Sequence, residues 1–174
     1  MRDAQKKESI NLIIDGFFTL LNEKDYYEIS MSEIAKASMV SRMTLYRYFD
    51  SKEEIFNFYI NMLSNRINEE VYEENKSGIY MLLLKRNQLL YNNDYLKIAF
   101  KNVGSRELLY RISENSRLVI SDYLSYKSKN SKIVSFVAGG ISTITKEWIL
   151  SGMETTPEDL TAEIIEIMDL IIEK

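Results

Sequence analysis

The sequence predicts an all-α fold of about nine helices, on three observations. Apolar residues recur at three- and four-residue steps through most of the chain, which is the period of a helix face. One proline and six glycines in 174 residues leave little material for the turns of an all-β fold. At 45% hydrophobic and 28% charged, the chain has apolar material for a core and no bias toward disorder.

Ile10, Ile13, Ile14, Phe17, Phe18 and Leu21 line one face of a first helix. Residues 22–28 are polar and read as a loop. Ser30-Met31-Ser32-Glu33 is a capping-box pattern that starts a short helix over about 31–37. A second short helix fits 41–48. Asp50 or Ser51 caps a fourth helix running to about 74, with Glu53 and Glu54 near its positive end. Ser77-Gly78 is a break. Helices then fit about 79–91, 93–102 and 105–127, the last two separated by Gly104-Ser105. After a polar loop at 127–131, a long apolar helix spans about 132–151, with Gly152 as a left-handed cap. Thr156 caps the last helix and Pro157 occupies its first turn, where a missing N–H is harmless. Leu160, Ile164, Ile165, Ile167, Met168 and Ile171 form its buried side.

Composition removes whole classes of chemistry. With no cysteine there is no disulfide, thiolate nucleophile or sulfur-ligated metal. With no histidine the usual general base and the commonest metal ligand are missing. Ser-His-Asp hydrolysis and zinc catalysis are excluded in their ordinary forms, so neither an enzyme nor a cofactor is expected. Glu69, Glu70, Glu73 and Glu74 place carboxylates at i and i+4, but a di-iron bundle also needs histidines. They read as a solvated acidic face. Asp15 interrupts the only apolar run near the N-terminus, and the longest apolar runs are about five residues. No membrane span is expected, and a cytoplasmic location is.

The net charge is −4, and residues 1–60 hold eight Lys/Arg against ten Asp/Glu. One short stretch is basic: Lys36, Arg42, Arg47 and Lys52 against Asp50. There the two short helices, joined by a tight turn on the first helix, make a helix-turn-helix. Ile34, Val40 and Leu45 suit its small core, while Ala35 and Ala37 allow close approach. Ser41, Arg42, Met43, Tyr46 and Arg47 point outward, with Arg42 and Tyr46 sharing one face and Met43 and Arg47 the next.

The string Ile34-Ala35-Lys36-Ala37-Ser38-Met39-Val40-Ser41-Arg42-Met43-Thr44-Leu45-Tyr46-Arg47-Tyr48-Phe49-Asp50-Ser51-Lys52-Glu53 resembles the DNA-binding signature of the TetR family of transcriptional regulators. The likeness extends over about 8–56. Met39 stands where the family usually has a turn glycine. Met43 stands where a small residue is common. The resemblance implies a DNA-binding domain over 1–50 and a helical effector-binding and dimerisation domain over 51–174. It gives Arg42 a guanine edge in the major groove, and Met43 and Thr44 thymine methyls. Tyr46, Tyr48 and Lys52 become phosphate ligands, with Ser30 and Ser32 at a phosphate near the start of the second helix, and Ser41 and Arg47 on the same DNA-facing surface. An acidic chain with few cations makes few phosphate contacts per subunit. A homodimer on a palindromic operator doubles them, and its binding is salt-sensitive.

In the family the last two helices pair with their mates. Phe136, Gly139, Gly140, Ile144, Trp148, Ile164, Met168 and Ile171 are the expected interface; Gly139-Gly140 inside a helix costs about 2 kcal/mol of propensity, which a close approach would offset. The segments 141–148, 151–153 and 156–158 also resemble a TetR-type subgroup common in Gram-positive bacteria, which includes a coactivator-dependent regulator of dihydroxyacetone kinase genes. The resemblance further implies an effector pocket among the middle helices, with Phe56, Tyr59, Tyr80, Tyr91, Tyr95, Phe100, Tyr110 and Tyr123 as candidates to line it. Aromatics at helical spacing also read as plain core, and no charged residue stands out as a ligand's counter-ion. The expected activity is a ligand-responsive repressor. The alternative is a regulator controlled by a protein docked on its C-terminal part.

Overall fold

Nine α-helices and one 3₁₀ turn, with no strand, make up the residues described by the computed structural model: 2–73, 78–102, 106–125 and 128–172. The helices are α1 (Arg2–Glu23), α2 (Met31–Ala37), α3 (Arg42–Tyr46), α4 (Lys52–Glu73), α5 (Ile79–Asn92), α6 (Asp94–Lys101), α7 (Arg106–Ser125), α8 (Ser131–Leu150) and α9 (Pro157–Ile172). The expected breaks at Ser77 and Gly104-Ser105 lie outside the described residues. The loop expected at 22–28 instead contains the 3₁₀ turn Tyr26–Glu28, which buries Tyr26. The second short helix ends two residues early, at Tyr46.

The chain forms two units: residues 1–61 with 94–109, and residues 62–93 with 110–174. In the first unit, α1 buries Ile13, Ile14, Phe17, Phe18 and Leu21, as its periodicity predicts; α4 adds Ile55, Phe56 and Tyr59. Helix α6 also belongs here, because Tyr95 stacks on Phe18 at 4.4 Å and its hydroxyl donates to the Asp15 carboxylate. Burial and that carboxylate raise the Tyr95 pKa. Asn102, just past α6, donates to the Leu21 and Lys24 carbonyls (2.9 and 2.8 Å) and accepts from the Tyr26 N–H at 3.1 Å. It thereby satisfies carbonyls that the end of α1 leaves open. Of the aromatics considered for an effector cage, Phe56, Tyr59 and Phe100 are buried in the core of the first unit, and the half-buried Tyr95 stacks on it.

In the second unit α5 packs on α9, tied by Asn87 Nδ2 to Thr161 Oγ1 at 3.0 Å. Thr156 Oγ1 accepts from the Asp159 N–H at 3.1 Å, so α9 starts where the sequence places it. Helix α8 ends on Ser151: the Gly152 N–H donates to Ile149 and the Met153 N–H to Trp148, with Gly152 at φ 90°. By length and composition α8 is apolar enough to cross a membrane, with a mean hydropathy of 1.3. Run length overlooked it because Ser, Thr and Gly interrupt its apolar residues. In this fold it is a core helix that buries Val134, Val137, Ala138, Ile141, Trp148 and Ile149.

Three residues expected at a dimer interface are spent in this core. Trp148 is buried, donates to the Thr155 carbonyl at 2.9 Å and stacks with Tyr91 at 6.3 Å. Ile164 and Met168 of α9 are buried as well. Phe136 remains 66% exposed, and Gly140 is exposed with it. Gly139 and Ile144 are half-buried, and the Ile171 side chain lies outside the described residues. A Cβ added at Gly139 or Gly140 meets nothing within 4 Å, so no described residue makes the close approach these glycines allow. The exposed apolar residues of α8 and α9 are Ile133, Phe136, Leu150, Ile167 and Leu170. Tyr80 and Tyr110 are also exposed; Tyr123 packs against the Ile67–Leu82 cluster. Of the acidic run on α4, Glu69 is exposed; the side chains of Glu70, Glu73 and Glu74 lie outside the described residues.

Candidate nucleic-acid interface

Helix α2 starts with the capping box that the sequence predicts. Ser30 Oγ accepts from the Glu33 N–H at 3.3 Å, and Glu33 Oε2 accepts from the Ser30 N–H at 2.9 Å. The Ser30 hydroxyl donates to the same carboxylate at 2.6 Å, so this serine is committed within the chain. Lys24, at 2.6 Å, and the Ser30 hydroxyl and N–H hold the Glu33 carboxyl down at about 2. A depressed carboxyl stabilises above its unfolded pKa, so this cap loses strength only as pH falls from about 4.5 toward 2.

The turn after α2 is a Schellman motif: Met39 N–H donates to Lys36 and Val40 N–H to Ala35, both at 3.1 Å. Met39 sits at φ 53° and is 86% exposed. The turn is therefore made in the usual way, with a methionine carrying the left-handed strain that glycine avoids. Met39→Gly is expected to stabilise the protein by about 1 kcal/mol, read as a rise of about 2–4 °C in Tm.

Gly16 lets this turn pack onto α1. A Cβ there would stand 2.3 Å from Ser38 Oγ and 2.7 Å from the Ser38 backbone nitrogen. Ser38 is buried and its hydroxyl donates to the Ile34 carbonyl at 2.7 Å. Ile34, Ala35 and Leu45 are buried between the helices, Val40 is half-buried and Ala37 is exposed. The close approach falls to Gly16 and not to Ala37. In the sequence Gly16 shows only as a glycine inside a helix face.

Helix α3 is capped by Ser41, whose Oγ accepts from the Thr44 N–H at 3.0 Å. With Leu45 buried, the opposite side is turned out: Arg42, Met43 and Tyr46 are exposed, Met43 to 80%. Arg42 has no ion pair or hydrogen bond with any described residue. Thr44 and Tyr48 are half-buried, and the exposed Arg47 lies over the Tyr48 ring at 4.9 Å. Ser32 is half-buried in the first turn of α2. Lys6 of α1 shares a surface groove of about 400 Å³ with Arg47 and Tyr48, which adds a cation that the sequence did not single out.

Lys52 has a different task from the expected phosphate contact. Its Nζ donates to the Tyr26 and Ile29 carbonyls at 2.7 and 2.9 Å, lies 3.4 Å from the Tyr27 carbonyl, and sits 4.4 Å over the Tyr26 ring. An ammonium has three hydrogens, and these acceptors occupy them. Lys52→Met is expected to cost about 2 kcal/mol of stability while leaving the salt dependence of DNA binding unchanged. A phosphate-binding lysine would reduce the log–log salt slope by about one.

Residues 13–57 match the family model described as "Bacterial regulatory proteins, tetR family", and 79–170 match that described as "Transcriptional regulator C-terminal region". An uncharacterised HTH-type transcriptional regulator of Mycobacterium tuberculosis is 42% identical over 59 residues, which is 34% of this chain and 29% of that protein. The HTH-type dhaKLM operon transcriptional activator DhaS of Lactococcus lactis is 25% identical over 90% of this chain and 87% of its own. Among solved structures, a dihydroxyacetone kinase operon activator DhaS superposes with a TM-score of 0.68 at 22% identity, covering 95% and 96% of the two chains. A TetR-family regulator from Syntrophomonas wolfei gives 0.70 at 21% identity, covering 94% and 95%. These two structures share the fold of this chain.

Proposed function

This chain belongs to the TetR family of bacterial transcriptional regulators, and on that premise we propose that it represses transcription as a ligand-responsive homodimer on a palindromic operator. The observation that carries this reading is the outward face of α3. Arg42, Met43 and Tyr46 stand exposed on a capped helix that packs on α2 and buries Leu45 on its inner side. Such a helix enters the major groove, where Arg42 reads guanine and Met43 and Thr44 meet thymine methyls. Tyr46, Tyr48 and Arg47 hold phosphates, with Lys6 as a further cation; Ser32 and Ser41 flank them. Ser30 and Lys52 support this surface from behind.

The dimer surface is the exposed side of α8 and α9: Phe136, Gly140, Leu150, Ile167 and Leu170. Two open glycines beside an exposed phenylalanine suit a partner helix at close range. Phe136→Glu is expected to turn the dimer into a 20.4 kDa monomer and to weaken operator binding more than tenfold. Sedimentation equilibrium and DNA titration read both effects. A dimer that survives Phe136→Glu would refute this surface.

The second unit is the effector domain. Helices α4 and α7 run through the boundaries of the two units, at 61–62 and 109–110, and the third connection lies between α5 and α6, at 93–94. Ligand binding that favours one arrangement of these connections shifts the spacing of the two α3 helices. We place the protein in the cytoplasm, with its DNA. A second reading has one specific support: the relative matched over nine-tenths of this chain is named an operon activator. In that reading a protein partner docks on the second unit, no small molecule releases the DNA, and transcription falls when the gene is deleted.

A further inference from the structure

The least compensated group of the second unit is a cation. Arg86 of α5 is 4% exposed. Its Nε donates to Ser116 Oγ on α7 at 3.3 Å and its Nη2 to Thr145 Oγ1 on α8 at 2.7 Å. Nη1 is buried with no partner. Among the described residues no acid pairs with it, and both its partners are neutral hydroxyls. Burial pushes the guanidinium down to about 10, so it stays charged at neutral pH. A lone buried charge is among the most costly arrangements in a fold. Nothing in the sequence sets Arg86 apart from the other cations of the chain.

We infer that Arg86 is the counter-charge for a ligand carboxylate bound in the second unit, an inference that rests on the ligand-responsive reading above. The hydroxyls of Ser116 and Thr145 hold the Nε–Nη2 edge of the guanidinium and leave Nη1 buried without a partner. That end offers parallel N–H groups matched to a planar carboxylate. One uncompensated positive charge calls for a monoanion. About one turn away on α5, Leu82, Leu83 and Leu90 are buried and apolar, which suits an apolar remainder on the ligand, while the buried Asn87 beside Arg86 is held by Thr161.

The test uses the full-length protein and Arg86→Met, which keeps the length of the stem and removes the charge. Without ligand, Arg86→Met is expected to melt about 2–4 °C above wild type, because an uncompensated charge has gone. Melting clearly below wild type would make the guanidinium a structural tie and overturn the inference. Acetate, butyrate, hexanoate and octanoate are then compared with their amides, by thermal shift and by release of bound operator DNA. At least one acid is expected to stabilise wild type and release DNA, with its amide inert and Arg86→Met unresponsive. Release by an amide and not its acid, or an undiminished acid response in Arg86→Met, overturns the carboxylate and leaves the ligand-responsive reading standing. If no compound acts on wild type, the ligand-free melting decides alone: raised supports the inference, and lowered removes it along with its share of the effector reading.

Discussion

Gly16→Ala is expected to destabilise the protein by about 3 kcal/mol, lowering Tm by about 6–12 °C, and to abolish specific DNA binding at temperatures where wild type binds. In most helices the same change stabilises, because alanine is the better helix former by about 1 kcal/mol. Here the added Cβ would overlap Ser38 Oγ and come within 2.7 Å of the Ser38 nitrogen. The hydroxyl can rotate, but the backbone of the Schellman turn cannot yield without moving α2. Ser38 also closes α2 through the Ile34 carbonyl, so the displacement carries into the helix that supports α3. Differential scanning calorimetry with operator titration checks both parts. A neutral or stabilising Gly16→Ala would mean that α1 and the turn are less closely packed than this.

Arg42→Ala should do the opposite: leave Tm within about 1 °C and weaken specific binding by at least about tenfold per half-site. The side chain is exposed and has no hydrogen bond or ion pair with any described residue, so stability has little to lose. A bidentate arginine–guanine pair carries about 1–3 kcal/mol of discrimination. Binding to unrelated DNA should change far less, since that affinity comes from phosphates. Fluorescence anisotropy on specific and scrambled duplexes separates the two effects. Equal losses on both duplexes would make Arg42 a phosphate ligand.

What the sequence made legible was local. Ser30 and Glu33 placed the start of α2, Thr156 and Pro157 that of α9, and the spacing of Ile13, Phe17 and Leu21 the inner face of α1. What it hid depends on partners distant in the chain. Gly16 matters because Ser38 comes to it, and Lys52 because carbonyls of the 3₁₀ turn take its hydrogens. Tyr26 is buried inside a stretch that reads as polar, held by Asn102 from beyond α6. Helix α8 is apolar on most sides, so periodicity could not tell Trp148, in the core, from Phe136, outside. The sequence does not single out Arg86, because burial is not written in residue type.

Selection of bound sequences from a random duplex library, run in parallel with wild type and Arg42→Ala, tests the central claim most directly. Wild type should enrich a two-fold symmetric motif whose half-sites lie about one helical turn, or a multiple of it, apart. Enrichment should fade as salt rises, and Arg42→Ala should lose a guanine position from each half-site. No enriched motif, an asymmetric one, or the same motif from both proteins would contradict the assignment of α3 as the reading helix of a dimer.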